Sequence, residues 1–304
     1  MQQLFGALPG AISLGLIWGI MAIGVYITYK ILAISDLTVD GSICTGAAVC
    51  TMMMIGGANP WVAMLCAVVA GGLCGLVTGL LHTVLEIPAI LSGILTQLAL
   101  WSVNLKIMGQ ANRPLSARNF PVILTQMDTT DAIITLVIIA VAIIGVLYWF
   151  FGTALGCSIR ATGCNLNMSR AQGINTNLNK VLGLVISNAL VALSGALLAQ
   201  YQGFCDINMG RGAIVIGLAA IVIGEVFFSK IARNFAVRLC GALAGGVIYY
   251  IVYQVIVFLG LDTDLLKMLS AAVVAVFLGA PNLKNKILTK LHTSKKAKEV
   301  KENA

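Results

Sequence analysis

The stretch GCSIRATGCN (156–165), continuing to SRAQGIN (169–175), lies between two long apolar segments and is built from small, amide and basic side chains. Roughly twenty residues of that kind cannot cross a bilayer core, where each backbone polar group needs a partner inside the protein, so a water-facing loop carrying short helices is predicted. Gly156, Gly163 and Gly173 punctuate those helices, Ala161 and Ala171 permit close approach of a partner, and Arg160 and Arg170 are placed to reach carboxylates or carbonyls. A docking surface between two membrane crossings is what this stretch describes.

The composition agrees with a membrane setting. The chain has 304 residues, of which 59% are hydrophobic and only 10% charged, which is far too apolar for a soluble domain of that length. The formal charge of +8 does not indicate nucleic acid, because seven of the nineteen basic residues fall between Lys284 and Lys301, outside the apolar segments. A basic tail beside a membrane follows instead from the positive-inside rule and from anionic lipid. Of eight cysteines, Cys44, Cys50, Cys66, Cys74 and Cys240 sit in apolar runs, Cys157 and Cys164 on the loop, and Cys205 on the opposite side, so no disulfide framework emerges. Cys157 and Cys164 lack nearby His or acidic partners and make a poor zinc pair; no metal or cofactor is expected.

Apolar segments near spanning length occur at 9–30, 42–58, 61–85, 88–106, 131–151, 178–200, 213–229, 235–259 and 264–280. The expected fold is thus an all-α polytopic membrane protein of about nine (8–10) transmembrane helices, with the second and seventh segments short and broken by glycine. A membrane domain spans 1–283, with the loop at 152–177, and a basic cytoplasmic tail covers 284–304. The first segment has no basic stretch before it, and its first cation, Lys30, follows it; this predicts a membrane helix with its N-terminus outside rather than a cleaved signal. With nine spans, Lys30, the loop cations Arg160, Arg170 and Lys180, the trio Lys230, Arg233 and Arg238, and the tail share one side, the cytoplasmic one. One loop disagrees: 107–130 would lie outside, yet Arg113 and Arg118 stand there beside Lys106, and Pro114 and Pro121 favour irregular or short helical structure.

A weak internal echo relates 36–85 to 206–259: Asp36 precedes GSICTG (41–46) as Asp206 precedes GAIVIG (212–217), and GGLCG (71–75) stands where GALAG (241–245) does. Either this is an inverted repeat, since the second and seventh segments run oppositely, or it is the common composition of Gly/Ala-rich helices. Gly15/Gly19, Gly71/Gly75/Gly79 and Gly241/Gly245 have the small-xxx-small spacing that lets helices pack closely in lipid. Polar groups at membrane depth are costly, so Asp36, Asp40, Gln97, Asn104, Asn188, Gln200, Glu225 and Gln254 are the candidates for a translocation path. Asp36 and Asp40 also suit the N-terminus of the second segment as caps, Gln97 and Asn104 fall on one helical face, and Glu225 suits a pair with Lys230 or Arg233.

The pattern ALGCSIRATGCNLNMSRAQGIN (154–175) resembles the cytoplasmic coupling loop of ABC importer permeases of the branched-chain amino acid, ribose and purine nucleoside group. The likeness continues through LVISNALVALSGALLAQYQG (184–203) and GLAAIVIGEVFF (217–228), and more weakly in DLTVDGSICTGA (36–47), where Asp40 departs from the small residue usual in the family. The resemblance implies that Arg160, Ala161, Gly163, Asn165, Arg170, Ala171 and Gly173 couple the membrane helices to a separate ABC ATPase subunit. It further implies a second permease copy or sister permease, an extracytoplasmic substrate-binding protein, and a bacterial cytoplasmic membrane. Lys106, Arg113 and Arg118 would then dock that binding protein.

The chain carries no motor of its own, because the Gly-Lys dipeptide of a phosphate-cradling loop is absent, and no catalytic constellation stands in its place. The expected function is the transmembrane subunit of an ATP-driven importer, and the wording of 171–204 is most similar to permeases for aromatic or branched-chain amino acids. Import of a nucleoside or a ribose-type sugar, and ion-coupled secondary transport, are the alternative readings.

Overall fold

The computed structural model describes residues 2–116, 120–228 and 234–258, with 268, 272, 275 and 279, so the ninth apolar segment, the basic tail, Arg118, Lys230 and Arg233 lie outside the described residues. Helix α1 (Gln2–Tyr26) runs on through a π-helical turn (Ile27–Ile31), and α2 is Val39–Ile55. Next come α3 (Pro60–Thr83), α4 (Ala89–Met108), strand β1 (Asn112–Pro114) and α5 (Thr129–Gly152). Two short helices, α6 (Ala154–Cys164) and α7 (Leu166–Ala171), then lead into α8 (Thr176–Gln202). Strand β2 (Phe204–Asp206), α9 (Ala213–Phe228) and α10 (Phe235–Phe258) complete the described chain.

Local chemistry sets several of these boundaries. Asn59 accepts the Trp61 amide and Pro60 opens α3, while Asn165 and Asn175 accept the amides of Met168 and Leu178 at the starts of α7 and α8. Gly109 and Gly203, at φ 72° and 77°, close α4 and α8 in the left-handed conformation. Pro114 ends a strand, not a short helix: β1 pairs antiparallel with β2, Arg113 opposite Cys205.

Among the described residues six helices are long and apolar enough to cross a membrane: Gly6–Ile31, Pro60–Thr83, Ala89–Met108, Thr129–Gly152, Thr176–Gln202 and Phe235–Phe258. The chain is therefore a helical multi-pass membrane protein. Its bundle has a loop end, carrying α6 and α7, and a ribbon end, carrying β1 and β2. Helices α1 and α8 are mostly buried and form the centre, whereas α3, α4 and α5 turn apolar rows such as Leu65, Val69, Leu73 and Ile134, Ile138, Val141 outward.

The small-residue rows are packing surfaces. On α3 a Cβ at Gly71 or Gly75 would strike α8 at Asn188 or Leu184, and on α1 one at Gly15 or Gly19 would strike α10 at Val247 or Leu243. With no hydrophobic drive between helices in lipid, this close backbone approach supplies the dispersion contact that holds the bundle.

The second and seventh segments are not full crossings of the described bundle. Ser42, near the start of α2, bonds to Asn188, the thirteenth residue of the 27-residue α8, so α2 begins near mid-bundle and runs to the ribbon end. Residues 207–212 turn back from the ribbon end, and α9 begins beside Asp40, again near mid-bundle, and runs to the loop end. The two segments read from sequence as 42–58 and 213–229 are thus short helices of opposite direction whose N-termini meet.

Candidate translocation site

The chain returns from the loop end through residues 32–38, where Ala33 adopts a left-handed φ of 55°. Asp36, buried at the top of this return, accepts the Thr38 amide at 2.9 Å and the Asn188 side-chain amide at 2.7 Å. The Asn188 carbonyl oxygen accepts the Ser42 hydroxyl at 2.6 Å, and Thr38, Thr78 and Thr96 form a hydroxyl chain alongside at 2.7 and 3.0 Å. Every group here is buried and partnered, so Asp36 and Asn188 clamp α2 to α8.

Asp40 does something different. Its carboxylate oxygens accept the backbone amides of Gly212 at 2.9 Å and Ile214 at 3.0 Å, so it caps α9 while standing in the first turn of α2. The helix it caps begins at residue 213, far along the chain from its own. Both helix dipoles point their positive ends at this carboxylate, which stabilises its charge where solvent is scarce.

Next to Asp40 lies a cavity of about 270 Å³, near the lower limit of small-molecule sites. Gln97, Trp101 and Asn104 of α4 line it together with Arg211 of the returning loop. Asn104 is buried, and its side-chain oxygen has no hydrogen-bond partner; its nitrogen lies 3.5 Å from the Gly41 carbonyl. Arg211 is exposed and makes no ion pair among the described residues. Trp101 and Arg211 were not singled out from sequence. A lone cation inside GRG (210–212), just before an apolar run, was the available signal.

The remaining path candidates lie elsewhere. Gln200 is buried, accepting the Ile123 amide at 3.1 Å and donating to Cys50, which ties the ribbon-end loop to α8. Glu225 pairs with Lys30 at 2.9 Å and sits at the loop end of α9; Lys230 and Arg233, the partners expected from sequence, lie outside the described residues. Gln254 is half-buried on α10, away from the cavity. All eight cysteines are free.

On the loop end, Arg160, Ala161, Asn165, Arg170, Ala171 and Gly173 are exposed. Several also have structural duties. Arg160 stacks over Phe235 at 5.4 Å, Asn165 caps α7, Arg170 donates to Thr176 at 3.1 Å, and Gly173, at φ 76°, makes the turn after α7. Gly163 does not punctuate a helix. It lies inside α6 against the backbone of Ile31 and Leu32, where a Cβ would collide with the Ile31 carbonyl oxygen. At the ribbon end, Lys106 is exposed and Arg113 is half-buried in β1.

No solved structure matches the chain. A tyrosine transport system permease protein of Clostridioides difficile (strain R20291) is 40% identical over 268 residues, 88% of this chain and 89% of that protein. An uncharacterized protein of Rickettsia prowazekii is 34% identical over 262 residues, 86% of this chain and 92% of its own length. The autoinducer 2 import system permease protein LsrC of Yersinia pestis is 30% identical over 194 residues, 61% of this chain and 53% of LsrC. The match to a defined transport family extends over residues 8–278, nearly the whole helical bundle, and the chain belongs to the branched-chain amino acid transport system / permease component family.

Proposed function

We propose that the chain is the transmembrane subunit of an ATP-driven importer of an amino acid, most favourably an aromatic one. The supporting observation is the cavity near mid-bundle, lined by Asp40, Gln97, Asn104 and Arg211 at the meeting of two oppositely directed short helices, in a chain 40% identical to a tyrosine transport system permease. The loop end faces the cytoplasm in this reading, and its exposed residues on α6 and α7 receive an ABC ATPase; the basic tail 284–304 lies on the same side. A second permease copy or sister permease completes the path, an extracytoplasmic binding protein delivers the solute, and the opposed short-helix units act as an inverted repeat that rocks between outward and inward access.

Reconstitution tests it. The full chain in proteoliposomes, together with its ABC ATPase and binding protein, is expected to accumulate radiolabelled L-tyrosine only with ATP supplied to the ATPase side, and not ribose or adenosine. Accumulation by the chain alone, driven by an ion gradient, overturns the assignment.

Lys106 and Arg113 give a narrower expectation. If they hold acidic residues of the binding protein, reversing both to glutamate lowers uptake about tenfold or more through weakened encounter, while basal ATP hydrolysis is unchanged. Unaltered uptake at low salt removes that role.

A further inference from the structure

We infer that the cavity beside Asp40 is a recognition site, within the permease itself, for the α-ammonium and α-carboxylate of a free amino acid. The inference rests on the importer reading above and adds to it where and how the backbone of the solute is read.

Asp40 and Arg211 line one cavity with opposite charges and do not pair with each other. Arg211 is exposed and Asp40 partly buried, so both charges are open to a solute that carries the complementary pair. Asp40 is kept from turning to Arg211, because its oxygens are held by the Gly212 and Ile214 amides. Beside it Asn104, whose side-chain oxygen is buried and without a donor, lines the same cavity. A buried acceptor left open in this way costs stability unless a ligand supplies the missing donor.

The chemistry that satisfies this set is a zwitterion. An ammonium offers three donors, enough for the remaining lone pairs of Asp40 and for the Asn104 oxygen, while Arg211 presents a planar fork that matches a carboxylate. A neutral sugar leaves both charges uncompensated, and a simple anion leaves Asp40 so. Trp101, on the same wall, offers an aromatic face to the side chain of the solute, and Gln97 supplies an adaptable amide.

The test uses the full-length permease alone in lipid nanodiscs, with radiolabelled L-tyrosine as probe and competition by L-leucine, tyramine and 3-(4-hydroxyphenyl)propionate. L-Tyrosine and L-leucine are expected to displace the probe. Tyramine, which lacks the carboxylate, and the propionate, which lacks the ammonium, are each expected to compete at least about tenfold more weakly. Arg211→Gln is expected to weaken L-tyrosine at least about tenfold while leaving the competition by tyramine unchanged, because that analogue never used the guanidinium. Asn104→Leu should weaken both amines and spare the propionate.

Competition by either truncated analogue as strong as that by L-tyrosine overturns the site, as does a wild-type chain that binds no L-tyrosine. If ATP-driven uptake of L-tyrosine by the full complex persists in either case, the importer reading stands and only the site is lost. If the complex accumulates ribose or adenosine and not tyrosine, the substrate reading fails, and the site with it.

Discussion

Gly163→Val is expected to cost the permease its folded loop end, whereas Ala171→Trp, eight positions on, leaves the fold intact and removes transport. Both residues belong to the polar stretch proposed above to receive the ATPase, yet the structure gives them opposite surroundings. A side chain at 163 would fall on the carbonyl oxygen of Ile31 and near the Leu32 Cα at 2.9 Å, and the obstacle is backbone, which cannot rotate away. Overpacking of this kind costs typically about 1–3 kcal/mol and more where the backbone must move. The expected result is a lower apparent melting temperature and a loss of monodisperse protein in detergent. Ala171 is exposed at the end of α7, so a tryptophan there meets solvent in the isolated chain and a wall in the complex. Co-purification of the ATPase, scored beside the melt, separates the two: Gly163→Val fails in the melt, Ala171→Trp in the co-purification. A Gly163→Val protein with a wild-type melt would mean that α6 does not pack on the turn at 27–31 as described. A tryptophan at 171 that leaves ATPase binding and uptake untouched would remove α7 from the docking surface.

The contrast between these two positions also marks how far sequence could reach. The loop was legible because a polar stretch between apolar segments has one stable location relative to a bilayer, and the small-residue rows were legible because their spacing is itself the packing rule. Helix caps at Asn165 and Asn175 follow from residue type and position, although Asn165 was read for partner contact. What could not be read were partners set by tertiary geometry. Glu225 finds Lys30 on α1's extension, about two hundred residues earlier in the chain, and Asp40 caps a helix that begins at residue 213. The apolar runs at 42–58 and 213–229 look like crossings because composition records that a helix is buried, not how deep it begins. Where α2 begins is fixed by Ser42, Asn188 and Asp36, three polar residues brought together from distant parts of the chain.

That triad carries the other large expected effect. Asn188 uses both ends of its amide: the nitrogen donates to Asp36 and to the Leu184 carbonyl, and the oxygen accepts from Ser42. Asn188→Leu keeps the volume and removes all of this, leaving a carboxyl and a hydroxyl buried with too few partners. Each orphaned neutral group costs about 1–3 kcal/mol, and an orphaned buried charge about 3–5 kcal/mol, so a fall of several degrees in apparent melting temperature is expected. Asp36→Leu in the same background should recover part of the loss, because it removes the orphan instead of restoring the bond; the two single costs will therefore not add. The functional consequence reaches further than the fold. Ser42 stands two residues after Asp40, on the same first turns of α2, so loosening the clamp frees the carboxylate that caps α9 and shapes the cavity. Uptake should fall by more than the loss of assembled protein accounts for, and hydrogen exchange should rise at the first turns of both α2 and α9. A melt within about 1 °C of wild type, with unchanged exchange at residues 212–216, would show that α2 is held at mid-bundle by something other than this amide, and that the two short helices do not depend on one another.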